Sequence, residues 1–315
     1  MISVVLPCYK SRAKVLEVIR AIGREVNYII VVDDACPDQT GQHIETNVTD
    51  ERVIVLTHDV NQGVGGATLT GFRKAMQIMA SGIIVKLDSD GQMDPQLIPH
   101  LVAPILSGEA DYTKGNRFYD LAYLETMPAV RILGNTALSF LSKLSSGYWD
   151  IMDPTNGFVA IHGKVLAKIP LDKLDRGFFF ESDLLFRLST LRARVIDVPM
   201  SARYSDEVSN LSVARSIFTF SRLHLSRMFK RIFYNYYLRD FNVASISLPL
   251  GAFLMLSGLI LGTHAHLTHA ARSQPTPTGI LIEVTLLLLV GFQLLLSFIN
   301  YDVAQVPRRA IHTSL

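Results

Sequence analysis

Along this chain the spacing of hydrophobic and polar positions changes its period several times. Ile2–Leu6, Tyr28–Asp33, Val53–Thr57 and Ile83–Leu87 are short apolar runs rich in β-branched residues and read as buried strands. Between them Lys14–Arg24, Gly41–Asn47 and Gly65–Ala80 take the helical place, and a further helix is expected to open at Pro95. Such alternation predicts an α/β fold with a mostly parallel sheet covered by helices.

The pattern changes after about residue 212. Val213–Arg239 repeats apolar residues at Phe218, Leu225, Phe229, Ile232, Phe233 and Tyr236, one side of a helix, while Arg215, Arg222, Arg227, Lys230, Arg231 and Arg239 fill much of the remainder. An amphipathic helix of this kind is expected to lie at a lipid surface, the alternative being a solvated helix packed on its own domain or on a neighbouring subunit. Val243–Thr263 then carries no charge, and Gly279–Tyr301 carries only Glu283, so each is long enough to cross a hydrocarbon core of about 30 Å. The organisation expected is a soluble domain over 1–212, juxtamembrane helices over 213–241, two transmembrane helices within 242–301 and a tail over 302–315.

Composition agrees with a chain partly in lipid: 49% of the 315 residues are hydrophobic, with mean hydropathy +0.28. The basic residues before the first span and Arg308-Arg309 after the second, against Arg272 alone in the link 264–278, predict both flanks on the cytoplasmic face of the plasma (inner) membrane. Met1-Ile2-Ser3 runs straight into a short strand, so no secretory leader is expected. A net charge of +2, with the basic run beside the spans, argues against nucleic-acid binding. Cys8 and Cys36 follow the first two strands without metal-ligand spacing and are expected to be free thiols.

Parallel sheets bind ligands at the carboxyl ends of their strands, where this chain places its polar residues. Pro7-Cys8-Tyr9 follows the first strand, Asp33-Asp34 closes the second, the glycine-rich Asn61–Ala67 follows the third and Asp88-Ser89-Asp90 follows the fourth. Two carboxylates one residue apart at a strand end form a hard oxygen site suited to Mg²⁺ or Mn²⁺ with a diphosphate. The glycine loop reads either as a phosphate cradle or as a tight turn into a helix; it lacks the Lys-Ser/Thr of a Walker motif. Phe178–Asp183 is expected to open a helix with Glu181 and Asp183 in its first turn. Tyr148–Phe158, with Trp149, two acids and an Asn-Gly turn, reads equally as a sugar-binding loop or a buried turn, and no catalytic role is assigned to it.

Together these elements resemble the inverting glycosyltransferases of family 2, which have the GT-A (Rossmann-like) fold. The resemblance rests on Val4–Tyr9, on Val32-Asp33-Asp34, on Asn61–Ala67 and on Asp88-Ser89-Asp90-Gly91-Gln92. The basic helix and two spans bring it nearest to the polyprenyl-phosphate branch, which includes dolichol-phosphate mannose synthases and bactoprenol glucosyltransferases. The resemblance implies that Pro7, Tyr9, Val32, Asp34 and Gly65 line the nucleotide-sugar site, with Asp88 and Ser89 at the ribose and diphosphate. It implies that Asp88, Asp90 and Gln92 hold Mg²⁺ or Mn²⁺, and that Arg117, helped by Lys114, and Arg203 meet phosphate oxygens. Catalytic roles fall to Asp90, Arg117, Glu181 and Asp183, the last a proton acceptor if the acceptor substrate is a hydroxyl. Lys10-Ser11 and Asn210 depart from the family pattern. The reaction implied moves a hexose from a UDP- or GDP-sugar to polyprenyl phosphate at the bilayer, in a homo-oligomer. The alternatives are transfer to a lipid-linked glycan hydroxyl and a nucleotide-binding scaffold without turnover.

Overall fold

The computed structural model describes residues 1–119, 129–200 and 213–315. Two compact units divide the chain: the first takes Met1–Phe229 and Pro307–Leu315, the second Lys230–Val306.

In the first unit a seven-stranded sheet forms from β1 (Ile2–Cys8), β2 (Tyr28–Asp33), β3 (Val53–Thr57), β4 (Ile83–Lys86), β5 (Tyr112–Asn116), β6 (Val159–His162) and β7 (Val195–Pro199). Their order is β3-β2-β1-β4-β6-β5-β7. All neighbouring pairs are parallel except those of β6, which runs antiparallel between β4 and β5. The four N-terminal strands and the helices between them, α1 (Arg12–Ala21), α2 (Thr40–Asn47) and α3 (Gly63–Ile78), fall within a few residues of the expected positions. Pro95 opens a 3₁₀ turn, capped by the Asp94 carboxylate accepting from the Gln96 amide, that leads into α4 (Ile98–Leu106). α5 (Ala129–Ser146) and α6 (Phe180–Leu191) complete the cover, and α7 (Val213–Phe233) crosses into the second unit.

The period of two explains the core. Val4, Leu6, Val31, Ile83, Val85 and Leu87 point to one face, packed against Val15 and Ile19 of α1, Ile44 of α2 and Leu101 and Ile105 of α4. The intervening positions, Val5, Ile30 and Ile84, are equally buried on the opposite face, the side of Lys86. Burial on both faces is why these strands read as continuous apolar runs.

The end of the chain returns to this unit. Both carboxylate oxygens of Asp111, the fully buried residue before β5, are used there. Oδ1 accepts from the His312 amide and meets His312 Nδ1, both at 2.8 Å, and Oδ2 accepts from the amides of Ile311 (2.9 Å) and Arg194 (2.8 Å). The His312 ring stacks on His162, centroids 4.3 Å apart.

In the second unit α8 (Val243–Ala271) and α9 (Thr278–Ala304) are two helices long and apolar enough to cross a membrane, each longer than the expected span. Asn242 caps α8, its side chain accepting from the Ala244 amide while the Ser245 hydroxyl accepts from the Asn242 amide. Arg231 and Asp302, both buried, form a paired contact, Nη1–Oδ1 2.7 Å and Nη2–Oδ2 2.9 Å, and the Tyr236 hydroxyl donates to the same carboxylate.

Two predictions follow from the docked tail. Asp111→Asn replaces an acceptor by a donor facing backbone N–H groups, so amide hydrogen exchange of the peptide 307–315 should quicken about tenfold or more, with β1 and β2 unchanged. Burial and the neighbouring His312 pull His162 down to about 4, so its contribution to stability is present above the unfolded value of 6.5 and is lost as pH falls through about 4. Solvent reaches His162, which reduces the effect to roughly 1 kcal/mol. Between pH 7 and 4 the wild-type thermal midpoint should therefore fall relative to His162→Gln by about 2–4 °C.

Candidate active site

Insertion of antiparallel β6 between β4 and β5 builds the site. Val159, its first residue, is register-matched to Lys86 on one side and to Lys114 on the other. The two lysines therefore project from the same face, and segment 153–158, which feeds β6, lies at the carboxyl rim of the parallel strands.

Lys86 is 1% exposed. Its ammonium donates to Asp88 Oδ1 at 2.7 Å and to the Gly157 carbonyl at 3.4 Å, and it pairs with Glu181 Oε1 at 3.1 Å. Burial alone would lower its pKa, but Asp88 and Glu181 outweigh that and raise it, so the group is a cation. Gly157 is needed for this packing, because a β-carbon there would stand 2.4 Å from Asp88 Oδ2 and 2.5 Å from Lys86 Nζ.

Lys114, fully buried, donates to the Asn156 carbonyl. Its pKa is pulled down by burial, against the opposing pull of Asp153, Glu181 and Asp197. Asp197 is pushed up by burial while accepting from the Met152 amide and the Asn116 side chain, each at 2.7 Å. Arg117 meets Asp153 in a two-pronged contact, Nε–Oδ2 and Nη2–Oδ1 both 2.7 Å. Asp153, at φ +49°, sits in the left-handed region and is buried. The segment without an assigned role thus supplies the partners of Lys86, Lys114 and Arg117. Its Asp-Pro-x-Asn-Gly turn chemistry was visible in the sequence, but the pairing was not.

The glycine loop is held by carboxylates and backbone. Asp34 accepts from the Gln62 and Gly63 amides, both at 2.8 Å, and from or with His58 Nδ1 at 2.7 Å, so it anchors the start of α3. A β-carbon on Gly65 would lie 2.6 Å from the Asp175 carbonyl oxygen, the close approach that glycine permits. Asp33 accepts from the amides of Cys36 (2.7 Å) and Gly41 (2.5 Å). Ser89 Oγ donates to the Pro7 carbonyl at 2.9 Å, which joins the ends of β1 and β4. Tyr9 is half exposed and Val32 fully buried. Burial pushes the Cys8 thiol up to about 12 and Cys36 to about 11, which leaves both as neutral thiols.

Asp90 Oδ1 accepts from the Gln92 amide at 2.9 Å. Among the described residues no three His, Cys, Asp or Glu side chains converge as a closed metal cage. The oxygen donors of Asp88, Asp90 and Gln92 nevertheless fit Mg²⁺ or Mn²⁺ shared with a diphosphate, since such ions commonly take one or two carboxylates and complete their shell from phosphates and water.

Opening α6, Glu181 faces Lys86 and is 6% exposed. Asp183 has no exposed surface: Oδ1 accepts from Arg227 Nε of α7 at 2.6 Å, and Oδ2 from the Asp175 amide at 3.0 Å and Arg187 at 3.4 Å. Arg203 lies outside the described residues.

The fold is of the GT-A kind. The description "Glycosyl transferase family 2" matches residues 3–169, and the chain belongs to that family. It is 28% identical over 221 residues to a UDP-N-acetylglucosamine–dolichyl-phosphate N-acetylglucosaminyltransferase of Methanococcus voltae, covering 65% of this chain and 87% of that one. It is 31% identical over 175 residues to an undecaprenyl-phosphate mannosyltransferase of Micrococcus luteus, covering 55% and 70%. Glucosyl-3-phosphoglycerate synthase of Mycobacterium tuberculosis, solved with Mn²⁺, UDP-glucose and phosphoglyceric acid, superposes with TM-score 0.54 at 22% identity over 73% of this chain and 79% of that one, a likeness of fold.

Loss of the Arg117–Asp153 contact leaves a guanidinium with a quarter of its surface in water, so the cost is below that of breaking a fully buried pair. Asp153→Asn is expected to lower stability by about 2 kcal/mol, a fall of about 4–8 °C in thermal midpoint.

Proposed function

We propose that the protein transfers a hexose from a UDP- or GDP-sugar to a polyprenyl phosphate at the cytoplasmic membrane face, with inversion at the anomeric carbon. The observation that carries this reading is the state of the two acids at the start of α6. Glu181 is paired with buried Lys86, and Asp183 lies out of contact with water between Arg227 and Arg187. A general base must reach the proton it removes. A phosphate monoester needs no such base, because its second pKa is about 6 and its oxygen is already anionic near neutrality. The relatives named for dolichyl- and undecaprenyl-phosphate transfer support the same acceptor class.

On this reading Asp88, Asp90 and Gln92 would hold Mg²⁺ or Mn²⁺, which would supply Lewis-acid stabilisation of the departing diphosphate charge. Arg117 presents a guanidinium to phosphate oxygens of donor or acceptor. Pro7, Tyr9 and the end of β2 border the nucleoside, with Asp34 holding the loop beside it. The donor is water-soluble and the acceptor is confined to lipid, so a cleft tethered by α8 and α9 turns a rare encounter into a positioned one. The basic flanks, and the return of Pro307–Leu315 to the unit that contains Met1–Phe229, support two crossings with both flanks on one side.

The test is transfer of label to the lipid phase by detergent-purified protein given Mn²⁺, undecaprenyl phosphate and radiolabelled UDP- or GDP-sugars. Label from one donor is expected, reduced about 100-fold or more in Asp90→Ala and absent with undecaprenol. Transfer to a lipid-linked glycan hydroxyl and none to the phosphate would overturn the proposal.

A further inference from the structure

We infer that Lys86 and Glu181 form a buried charge pair that sets the net charge at the diphosphate end of the site, with Glu181 the counter-charge to Lys86 and not a proton acceptor. The inference rests on the nucleotide-sugar reading above. Its basis is one buried ammonium shared by two carboxylates that arrive from different elements: Asp88 from the end of β4 at 2.7 Å and Glu181 from α6 at 3.1 Å. Glu181 is itself buried, whereas the Asp88 side chain is 28% exposed. Lys86 therefore ties the inner acid to the outer one. It engages Asp88 Oδ1 and leaves Oδ2 beside Gly157. Its register partner across β6, Lys114, is committed to the Asn156 carbonyl and does not share this task.

The trio Lys86, Asp88 and Glu181 carries one net negative charge, a balance that would suit a divalent cation bound with a diphosphate. Changing only one member alters that balance in a low-dielectric setting, while removing the Lys86 and Glu181 charges together restores it. This pattern separates charge positioning from simple packing. A packing role makes the second substitution add to the damage of the first.

The experiment is calorimetric titration of the full-length protein in detergent with Mn²⁺ and UDP, and separately with Mn²⁺ and GDP, without any acceptor. Glu181→Gln is expected to weaken binding of the nucleotide that the wild type binds by about tenfold. Lys86→Met/Glu181→Gln is expected to return to within about threefold of wild type. An unchanged Kd in Glu181→Gln, or a folded double variant that binds no better than Glu181→Gln, overturns the inference. Should the double variant fail to melt cooperatively, the Kd of Glu181→Gln decides alone: a raised Kd supports the charge role, and an unchanged Kd overturns it. A wild type that binds neither nucleotide with Mn²⁺ overturns the parent reading along with it. If the Kd pattern holds but no label reaches polyprenyl phosphate, Lys86 keeps its role and the acceptor assignment falls.

Discussion

The Lys86 ammonium sits where water scarcely reaches, and burial alone would lower its pKa; Asp88 and Glu181 outweigh that and keep it charged. A buried cation is tolerated only when its charge is balanced and its hydrogens find acceptors, so three parts of the chain must meet around it. β4 supplies the lysine and Asp88, the turn before β6 supplies the Gly157 carbonyl, and α6 supplies Glu181. If one of them moves, a buried polar group loses a partner. The carboxyl rim of the sheet is organised around that constraint.

The same rule recurs within each unit. Arg117 and Asp153 lock the turn that feeds β6, and Asp183 draws Arg227 of α7 onto α6. His224, one turn earlier in α7, meets Ser145 Oγ at 2.8 Å and sets its ring edge against Phe179, so the helix is seated by packing as well as by charge. Further along α7, Arg231 pairs with Asp302 inside the second unit.

Much of this was legible in the sequence, and the reasons are local. Runs such as Tyr28–Asp33 announce strands buried on both faces, while long uncharged stretches such as Val243–Thr263 announce helices for an apolar medium. Asp88-Ser89-Asp90 after an apolar run is a strand-end acid pair whatever surrounds it. The family motifs lie in continuous segments and were readable for the same reason. Glu181 and Asp183 also stood out as acids at a helix start, but the spacing said nothing about which cations they face.

What the sequence by itself determined is the set of elements, their burial class and the residue types at the strand ends, because each depends on periodicity over a few neighbouring positions. Only the tertiary structure decided that β6 enters antiparallel between β4 and β5, which sets Lys86 and Lys114 on one face and brings Asp153, Asn156 and Gly157 to the rim. It also decided that Asp111 receives the chain some two hundred residues later, at Ile311 and His312. Neither outcome is written in local pattern: the balance of buried charge is a sum over groups distant in sequence, and its partners are chosen by which arrangement leaves none of them unpaired.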